Sequence, residues 1–201
     1  MIRFIFFSVL KALSMASLNP PVCDFGWQAP NFNLPDFNPN LGDGRFVSRD
    51  LVMGKNGLLV VFICNHCPYV KAILPRLIHD VSELKMFGVN TVAMMSNDPS
   101  EYPEDSVENT QIIAREMDFP FPYLLDASQQ IAKNYGAVCT PDFFGFNNKS
   151  QLQYRGRFDE SRKQTALEST RDLFCAMKLI TETGLGPREQ VASIGCSIKW
   201  K

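Results

Sequence analysis

The chain reads GLLVVFICNHCPYV over residues 57–70. Six consecutive apolar residues, 58–63, follow a glycine, and such an unbroken run is typical of a strand that is buried on both faces of a sheet. Two cysteines separated by two residues, Cys64 and Cys67, come directly after this run. Because a helical pattern begins at the same place, the stretch predicts a strand-to-helix junction that carries two thiols.

Beyond this junction, apolar residues recur at helical spacing from Val70 to Leu84 and predict a long amphipathic helix. Pro75 falls inside the pattern, so a kink is expected there. A second apolar run at residues 89–95 predicts another buried strand. The first half of the domain is therefore predicted to be a strand, a kinked helix and a strand.

The rest of the chain adds shorter elements. They are predicted as a helix from Pro103 to about Met117, a short strand at 122–125, a short helix at 129–135, a hairpin with strands at 143–146 and 152–154, and a last helix from about Thr165 to Ile180. In the tail, Ile194, Cys196, Ile198 and Trp200 alternate with small or polar residues, which predicts a docked extended segment. This order predicts an α/β fold with a mixed central sheet and helices on both faces.

Composition limits the classes of function. The chain has 201 residues, of which 45% are hydrophobic, and a formal net charge of −1. These values are typical of one compact domain and provide no basic surface for nucleic acid. After the N-terminus, no segment approaches the roughly 18 apolar residues of a membrane span. We expect neither nucleic acid nor a membrane as a partner.

The N-terminus carries a short apolar stretch. Residues 1–17 are predicted to be an extension, either an export signal or the product of a mis-assigned start upstream of Met15. Residues 18–201 then form a single domain with a C-terminal tail, and loops and short extended pieces make up its first part, 18–44. We expect a cytoplasmic protein, or a periplasmic one if the extension is a signal peptide.

The two neighbouring cysteines carry the predicted chemistry. At the start of a helix, the first sulfur faces unpaired backbone N–H groups, which favour the thiolate that attacks disulfides. We therefore expect an exposed Cys64 to be the attacking thiol and Cys67 to resolve the mixed disulfide. His66 would supply a cation or a hydrogen-bond donor beside Cys64 and lower the pKa of that thiol. This chemistry needs no metal or organic cofactor.

Metal binding is the alternative for this pair. Structural zinc sites need four ligands, but the sequence has no second CxxC, and the other histidine, His79, falls within the predicted long helix. The remaining cysteines are isolated and are expected to be reduced packing residues: Cys23, Cys139, Cys175 and Cys196. Cys139 lies two residues before Pro141, so a modulatory role stays open for it.

Two further stretches resemble a known family. Residues 26–36 read GWQAPNFNLPD, which is similar to the signature G-x-x-A-P-x-F-x-L-x-D. Residues 140–144 read TPDFF, which is similar to the loop that holds a cis-proline opposite the cysteines of the thioredoxin superfamily. With its CNHC motif, the chain resembles the bacterial peroxiredoxin-like, AhpC/TSA-type branch of that superfamily. The resemblance covers about residues 26–180 and implies a thioredoxin-like fold.

The resemblance implies roles for the residues around the thiols. Pro141 is expected to be cis, the Thr140 backbone to pair with an incoming peptide, and Asn65 to help bind the substrate. The implied activity is that of a thiol–disulfide oxidoreductase, whose partners are a protein or low-molecular-weight disulfide and an unknown thiol reductant. With His66 beside Cys64, the pair is expected to be more oxidising than thioredoxin.

One departure from the family bears on the activity. Peroxiredoxins carry the motif P-x-x-x-T-x-x-C, and this chain has Gly57 and Val61 at the Pro and Thr positions. The hydroxyl that orients a peroxide is absent from that position, which disfavours peroxidase activity. Two alternatives stay open: a thiol peroxidase that uses Cys64 with Cys67 as the resolving thiol, and a non-enzymatic thiol- or zinc-binding module.

Overall fold

The structure, a computed structural model, describes residues 17–42, 44–100, 102–161 and 169–201. Most of the predicted N-terminal extension lies outside the described residues, as does the predicted start of the last helix near Thr165. In the described part of the chain, no helix is both long enough and apolar enough to cross a bilayer.

The described residues include ten short strands and five α-helices, which are joined by loops. The strands are β1 (Ser17–Leu18), β2 (Asn33–Pro35), β3 (Phe46–Ser48), β4 (Gly57–Phe62), β5 (Val89–Met95), β6 (Tyr123–Leu125), β7 (Cys139–Thr140), β8 (Asp142–Asn147), β9 (Leu152–Tyr154) and β10 (Gly195–Ser197). The α-helices are α1 (Arg49–Val52), α2 (Pro68–Met86), α3 (Val107–Glu116), α4 (Gln130–Tyr135) and α5 (Asp172–Thr183). A 3₁₀ turn, Pro103–Asp105, precedes α3.

The central sheet has the strand order β6-β5-β4-β8-β9. In its middle, β4 runs parallel to β5 and antiparallel to β8. Leu59 and Val61 of β4 enter one apolar cluster and Leu58 and Val60 enter another, because successive residues of a strand point to opposite faces. α2 and α5 pack in the first cluster, and α1 and α4 pack in the second. The predicted mixed sheet with helices on both faces is confirmed.

The helix after the cysteines, α2, begins at Pro68. Proline suits the first helical position because its missing N–H would have no partner there. Cys67 is therefore the N-cap residue, and Cys64 lies in the loop three residues earlier. The expectation that Cys64 stands at the start of the helix is wrong. The helix continues through Pro75 and buries its apolar side against the sheet.

The last helix, α5, differs from the prediction at both ends. It runs from Asp172 to Thr183, and residues 169–171 are not helical. Arg171, directly before the helix, extends its side chain to α2, where Nη2 donates to Asp80 Oδ1 at 2.7 Å. The helical periodicity thus located the element but not its first residue.

A second sheet has the strand order β1-β10-β7. In this sheet the C-terminal tail, as β10, pairs with β7, which directly precedes β8. β10 pairs antiparallel with β7, so that Cys196 is opposite Thr140 and Ser197 is opposite Cys139. Cys196 is buried, whereas Trp200 near the chain end is exposed. The predicted docked and extended tail is confirmed.

Gly195 is required where β10 meets β7, and its replacement tests how the tail is held. A Cβ atom at residue 195 would contact the Thr140 carbonyl oxygen and lie 2.6 Å from the Thr140 carbonyl carbon. We expect Gly195→Ala to lower the free energy of unfolding by about 1–3 kcal/mol through overpacking. Faster amide hydrogen exchange in residues 195–198 would locate the effect.

Ser197→Ala is the matched control for that substitution. Ser197 is partly exposed, and its Oγ accepts a hydrogen bond from Lys199 Nζ. Because surface substitutions usually change stability by less than about 0.5 kcal/mol, this variant should retain the exchange rates of the native tail. Equal exchange rates in residues 195–198 of both variants would contradict the close approach at Gly195.

Candidate active site

Thr140 contacts both cysteines of the CxxC motif. Asp142, the first residue of β8, is opposite Phe62, the last residue of β4. The residues before β8 therefore lie beside the residues after β4. Thr140 Oγ1 is 3.2 Å from Cys64 Sγ. The Cys67 thiol, when protonated, donates to the Thr140 carbonyl oxygen at 3.1 Å.

The Thr140–Pro141 peptide bond is cis, the form that the resemblance implies. The backbone of Thr140, however, does not present an open edge to a substrate peptide. β10 of the same chain pairs with it, with Cys196 opposite Thr140. In this conformation the expected pairing of Thr140 with an incoming peptide is blocked, because one strand edge accepts only one neighbour.

Cys196 is the third thiol of the site. Its Sγ lies 3.0 Å from Cys67 Sγ, although 129 residues separate them. The sequence pattern placed Cys196 on the buried side of the tail but assigned it to packing. Only the pairing of β10 with β7, which has no local sequence signal, brings it to the other thiols.

Both residues of the CxxC pair are buried. Cys64 is 1% exposed and Cys67 is 0% exposed, and no disulfide joins any of the cysteines, all of which lie in the described part of the chain. The expectation of an exposed Cys64 is wrong for this conformation. Another molecule could reach these sulfurs only after some local movement.

The lowered pKa in the pair is not at the residue that the sequence predicts. Burial, a hydrogen bond with Cys67 and the nearby Asp105 carboxylate raise the pKa of Cys64 well above that of an ordinary thiol. Hydrogen bonds from the thiols of Cys196 and Cys64 lower the pKa of Cys67, and the N-terminus of α2 favours an anion there too. The predicted low pKa at Cys64 is therefore wrong, and Cys67 is the thiol of the pair that ionises more readily.

His66 is bound to a carboxylate and not to a thiol. Its Nδ1–H donates to Asp105 Oδ2 at 2.7 Å, and its ring stacks on Tyr102 with 4.1 Å between centroids. Among the described residues, no hydrogen bond joins His66 to Cys64, and His66 Nε2 is buried without a hydrogen-bond partner. His66 therefore lies beside Cys64, with a ring nitrogen within 4.8 Å of its sulfur, but the expected hydrogen bond to that sulfur is not formed.

Asp105 organises the loop between the two cysteines. Its Oδ1 accepts the backbone N–H groups of Asn65 at 2.8 Å and His66 at 3.2 Å, and its Oδ2 also accepts from Asn97 at 2.8 Å. Burial raises the pKa of Asp105, but the hydrogen bonds from His66 and Asn97 outweigh it, and the net shift is downward. The sequence pattern placed Asp105 inside the predicted helix from Pro103 and gave no sign of its role here.

Asn65 has a structural place in the same loop. Its Nδ2 donates to the carbonyl oxygen of Glu104 at 2.8 Å and to Thr110 Oγ1 at 3.1 Å, and its Oδ1 accepts from the Tyr123 hydroxyl at 3.0 Å. Both side-chain N–H donors are therefore used inside the protein. The expected contact between Asn65 and a substrate finds no support in this geometry.

The other cysteines lie apart from this cluster. Cys139 neighbours Thr140 on β7 but points to the opposite face, and its thiol donates to the Pro141 carbonyl oxygen at 3.6 Å. Burial raises the pKa of Cys139, which opposes reactivity. Cys175 is exposed on α5, so the expectation that it packs in the core is wrong.

One group of potential metal ligands includes the first cysteine. Cys64 Sγ, a ring nitrogen of His66 and a carboxylate oxygen of Asp105 all lie within 4.8 Å of one another. Three ligands are one fewer than a structural zinc site uses. Both Asp105 oxygens also already accept N–H groups, so this donor set fits hydrogen bonding better than metal ligation.

The family model described as AhpC/TSA family matches residues 25–158. Among curated proteins, none matches the chain. Two solved structures are similar over almost the whole chain. An uncharacterized conserved protein from Geobacillus kaustophilus is 40% identical, with 94% of this chain and 98% of that chain covered and a TM-score of 0.86. A hypothetical protein from Sinorhizobium meliloti 1021 is 35% identical, with 91% and 98% covered and a TM-score of 0.84.

A more distant similarity concerns the fold. The thioredoxin domain of a thiol-disulfide oxidoreductase from Bacteroides vulgatus is 18% identical, with 78% of this chain and 97% of that chain covered and a TM-score of 0.58. The fold is therefore thioredoxin-like, as the resemblance of residues 26–36 and 140–144 implied.

Replacing Asp105 with asparagine tests its role. Because the folded state lowers its pKa, ionised Asp105 stabilises the fold above its ordinary value of 3.8, and this contribution is lost as pH falls through the lower folded pKa. We expect Asp105→Asn to cost about 1–3 kcal/mol near neutral pH, because the amide presents N–H groups to other donors. The free-energy difference from wild type, measured by urea unfolding, should shrink with acidification.

Asp98→Asn serves as the control for this measurement. The pKa of Asp98 is also lowered, by hydrogen bonds from Ser100, but this carboxylate is solvated. Its replacement should change the free energy of unfolding much less at every pH. A pH-independent difference between wild type and Asp105→Asn would contradict an ionised Asp105.

Proposed function

Since the chain belongs to the AhpC/TSA family, we propose that it exchanges thiols for disulfides through Cys64 and Cys67. The observation that carries this proposal is the convergence of both thiols on Thr140. Reactive groups that are held close together react as if highly concentrated. The substrate is a protein or small-molecule disulfide, and a separate thiol reductant would return the pair to its reduced form.

The charge distribution suggests how the first bond forms. Because the pKa of Cys64 is raised and that of Cys67 is lowered, we expect the reduced pair to hold its proton on Cys64 and its charge on Cys67. Cys67 is then the general base: it takes the proton as Cys64 Sγ attacks one sulfur of the substrate disulfide. The substrate S–S bond breaks, one substrate thiolate leaves, and Cys64 holds the other half as a mixed disulfide.

The second step closes the intramolecular disulfide. Cys67 passes its proton to the departing substrate thiolate and becomes a thiolate again. It then attacks Cys64 Sγ, the mixed disulfide breaks, and the second substrate thiolate leaves. Two electrons have moved from the cysteine pair to the substrate, which is released as two thiols once solvent supplies the last proton.

The burial of the site limits which substrates react. The edge of Thr140 is occupied by β10, so a protein substrate that pairs with this edge must displace the tail. A small disulfide needs only a local opening to reach Cys64. We expect small disulfides to react when β10 is in place and protein disulfides to react more slowly.

Substitution of each cysteine tests the two roles. Cys64→Ser should abolish reduction of a model disulfide, whereas Cys67→Ser should accumulate a mixed disulfide at Cys64. Without its base, Cys64 in Cys67→Ser must ionise by itself, so its rate should rise about tenfold per pH unit below its raised pKa. Stopped reactions analysed by mass spectrometry across neutral pH measure both effects.

Cys139→Ser is the control for these variants. Cys139 is buried in the same region but points away from the pair, so this variant should retain the wild-type rate. A mixed disulfide that forms on Cys67 in the Cys64→Ser variant, at the wild-type rate, would reverse the assigned roles.

A thiol peroxidase is the second candidate, and one contact favours it. Residue 61 is a valine without a hydroxyl, but the hydroxyl of Thr140 lies 3.2 Å from Cys64 Sγ. A peroxide would oxidise Cys64 to a sulfenic acid, which Cys67 would resolve to the same disulfide with loss of water. Peroxide consumption that is lost in Thr140→Val, while disulfide reduction persists, would favour this activity. Stoichiometric zinc in the purified protein would instead favour a binding module.

A further inference from the structure

Cys196 is placed against Cys67 by strand register. It is directly opposite Thr140 in the antiparallel pair of β10 and β7, and residues that face each other in such a pair project to the same side of the sheet. That side is where Thr140 contacts the CxxC pair. A shift of one residue would turn Cys196 away and present Ser197 instead.

The close backbone approach of β10 sets the sulfur–sulfur distance. Gly195 has no side chain, and a Cβ atom there would lie 2.6 Å from the Thr140 carbonyl carbon and 3.1 Å from Pro141 N. The tail therefore packs against this loop more closely than another residue allows. The result is a distance of 3.0 Å between Cys196 Sγ and Cys67 Sγ.

We propose that Cys196 is a third redox-active thiol, which exchanges with Cys64 for the shared partner Cys67. This inference rests on the proposed function, which supplies the Cys64–Cys67 disulfide. In the exchange, Cys196 Sγ loses its proton and attacks Cys67 Sγ. The Cys64–Cys67 bond breaks, a Cys67–Cys196 bond forms, and Cys64 leaves as a thiolate that takes up a proton. No electrons enter or leave, so the step needs no further oxidant.

The surroundings of Cys64 favour its protonated form at the end of the exchange. Burial raises the pKa of Cys64. The higher pKa slows the departure of Cys64 as a thiolate, but it favours the protonated thiol once Cys64 has taken up a proton. The Thr140 hydroxyl, 3.2 Å away, can hydrogen-bond to the resulting thiol. The exchange therefore ends with a neutral Cys64 in a buried site.

The new disulfide would have a consequence for access. A bond between Cys67 and Cys196 joins β10 covalently to the N-cap of α2 and keeps the tail on the edge of Thr140. Peptide substrates are then excluded while Cys64 is free. The Cys64–Cys67 form leaves the tail held only by noncovalent contacts, and it is the form that can admit a peptide.

Disulfide mapping after oxidation of the full-length protein tests this proposal. Residues 56–71 form one tryptic peptide that contains both Cys64 and Cys67, and residues 189–199 form the peptide that contains Cys196. A link between these peptides is therefore unambiguous only when one cysteine of the pair is absent. The reduced Cys64→Ser variant, treated with diamide, should yield the Cys67–Cys196 link as its main disulfide.

Two variants control for nonspecific oxidation. Cys67→Ser, treated in the same way, should lack a link between Cys64 and Cys196, because the contact is with Cys67. In the Cys64→Ser background, Cys139→Ser should retain the link, whereas Gly195→Ala should lose most of it. Near-ultraviolet circular dichroism of each reduced variant confirms that it is folded.

The wild-type protein provides a second measurement that needs no change at Cys64. Oxidised wild type should contain the link between residues 56–71 and 189–199 together with the Cys64–Cys67 disulfide. Cys196→Ser and Cys196→Ala should both contain only the Cys64–Cys67 disulfide, although the serine retains a hydrogen-bond donor to Cys67. Comparison of these two variants separates the covalent role of Cys196 from its effect on the pKa of Cys67.

The outcomes distinguish the two proposals. If Cys64→Ser leaves Cys67 and Cys196 free, and wild type forms only Cys64–Cys67 while it reduces a model disulfide, the third thiol is refuted and the proposed function stands. If wild type forms no Cys64–Cys67 disulfide and reduces no substrate, the proposed function fails, and the exchange proposed for Cys196 fails with it.

Discussion

The position of Thr140 is the constraint on which the rest of the site depends. Pairing of β4 with β8 brings the segment before β8 beside the segment after β4. From that place Thr140 contacts Cys64 with its hydroxyl and Cys67 with its carbonyl oxygen, and its backbone pairs with Cys196. One residue thus positions the two neighbouring thiols of the CxxC motif and a third thiol, Cys196, from a distant part of the chain.

Burial then decides how charge is arranged around these thiols. A thiolate in an apolar interior is costly unless hydrogen bonds replace its hydration. Cys67 receives such bonds from two other thiols and lies at the N-terminus of α2, whereas Cys64 lies near the ionised Asp105. Of the two thiols, the one that the tail covers, Cys67, is therefore the more readily ionised.

Asp105, which contacts the loop between the two cysteines, is also a buried group whose charge is stabilised by hydrogen bonds. A buried carboxylate needs several donors, and the loop supplies two backbone N–H groups and the His66 ring. These bonds fix the path of residues 64–67 without any contribution from the sulfur atoms. Because the donors are tied to the loop backbone, a movement of this loop that exposes Cys64 must strain or break these hydrogen bonds.

The sequence alone was sufficient to predict β4, α2 and β5 as elements, because hydrophobic periodicity is a local property of the chain. The thiol pair and the family were also readable, from motifs of a few residues. The first residue of α2 was misjudged, although Pro68 is a local start signal. What only the tertiary structure decided are the contacts of Cys67 with Cys196 and of His66 with Asp105. These join segments 129 and 39 residues apart, and their geometry depends on strand register and loop packing, which no local pattern encodes.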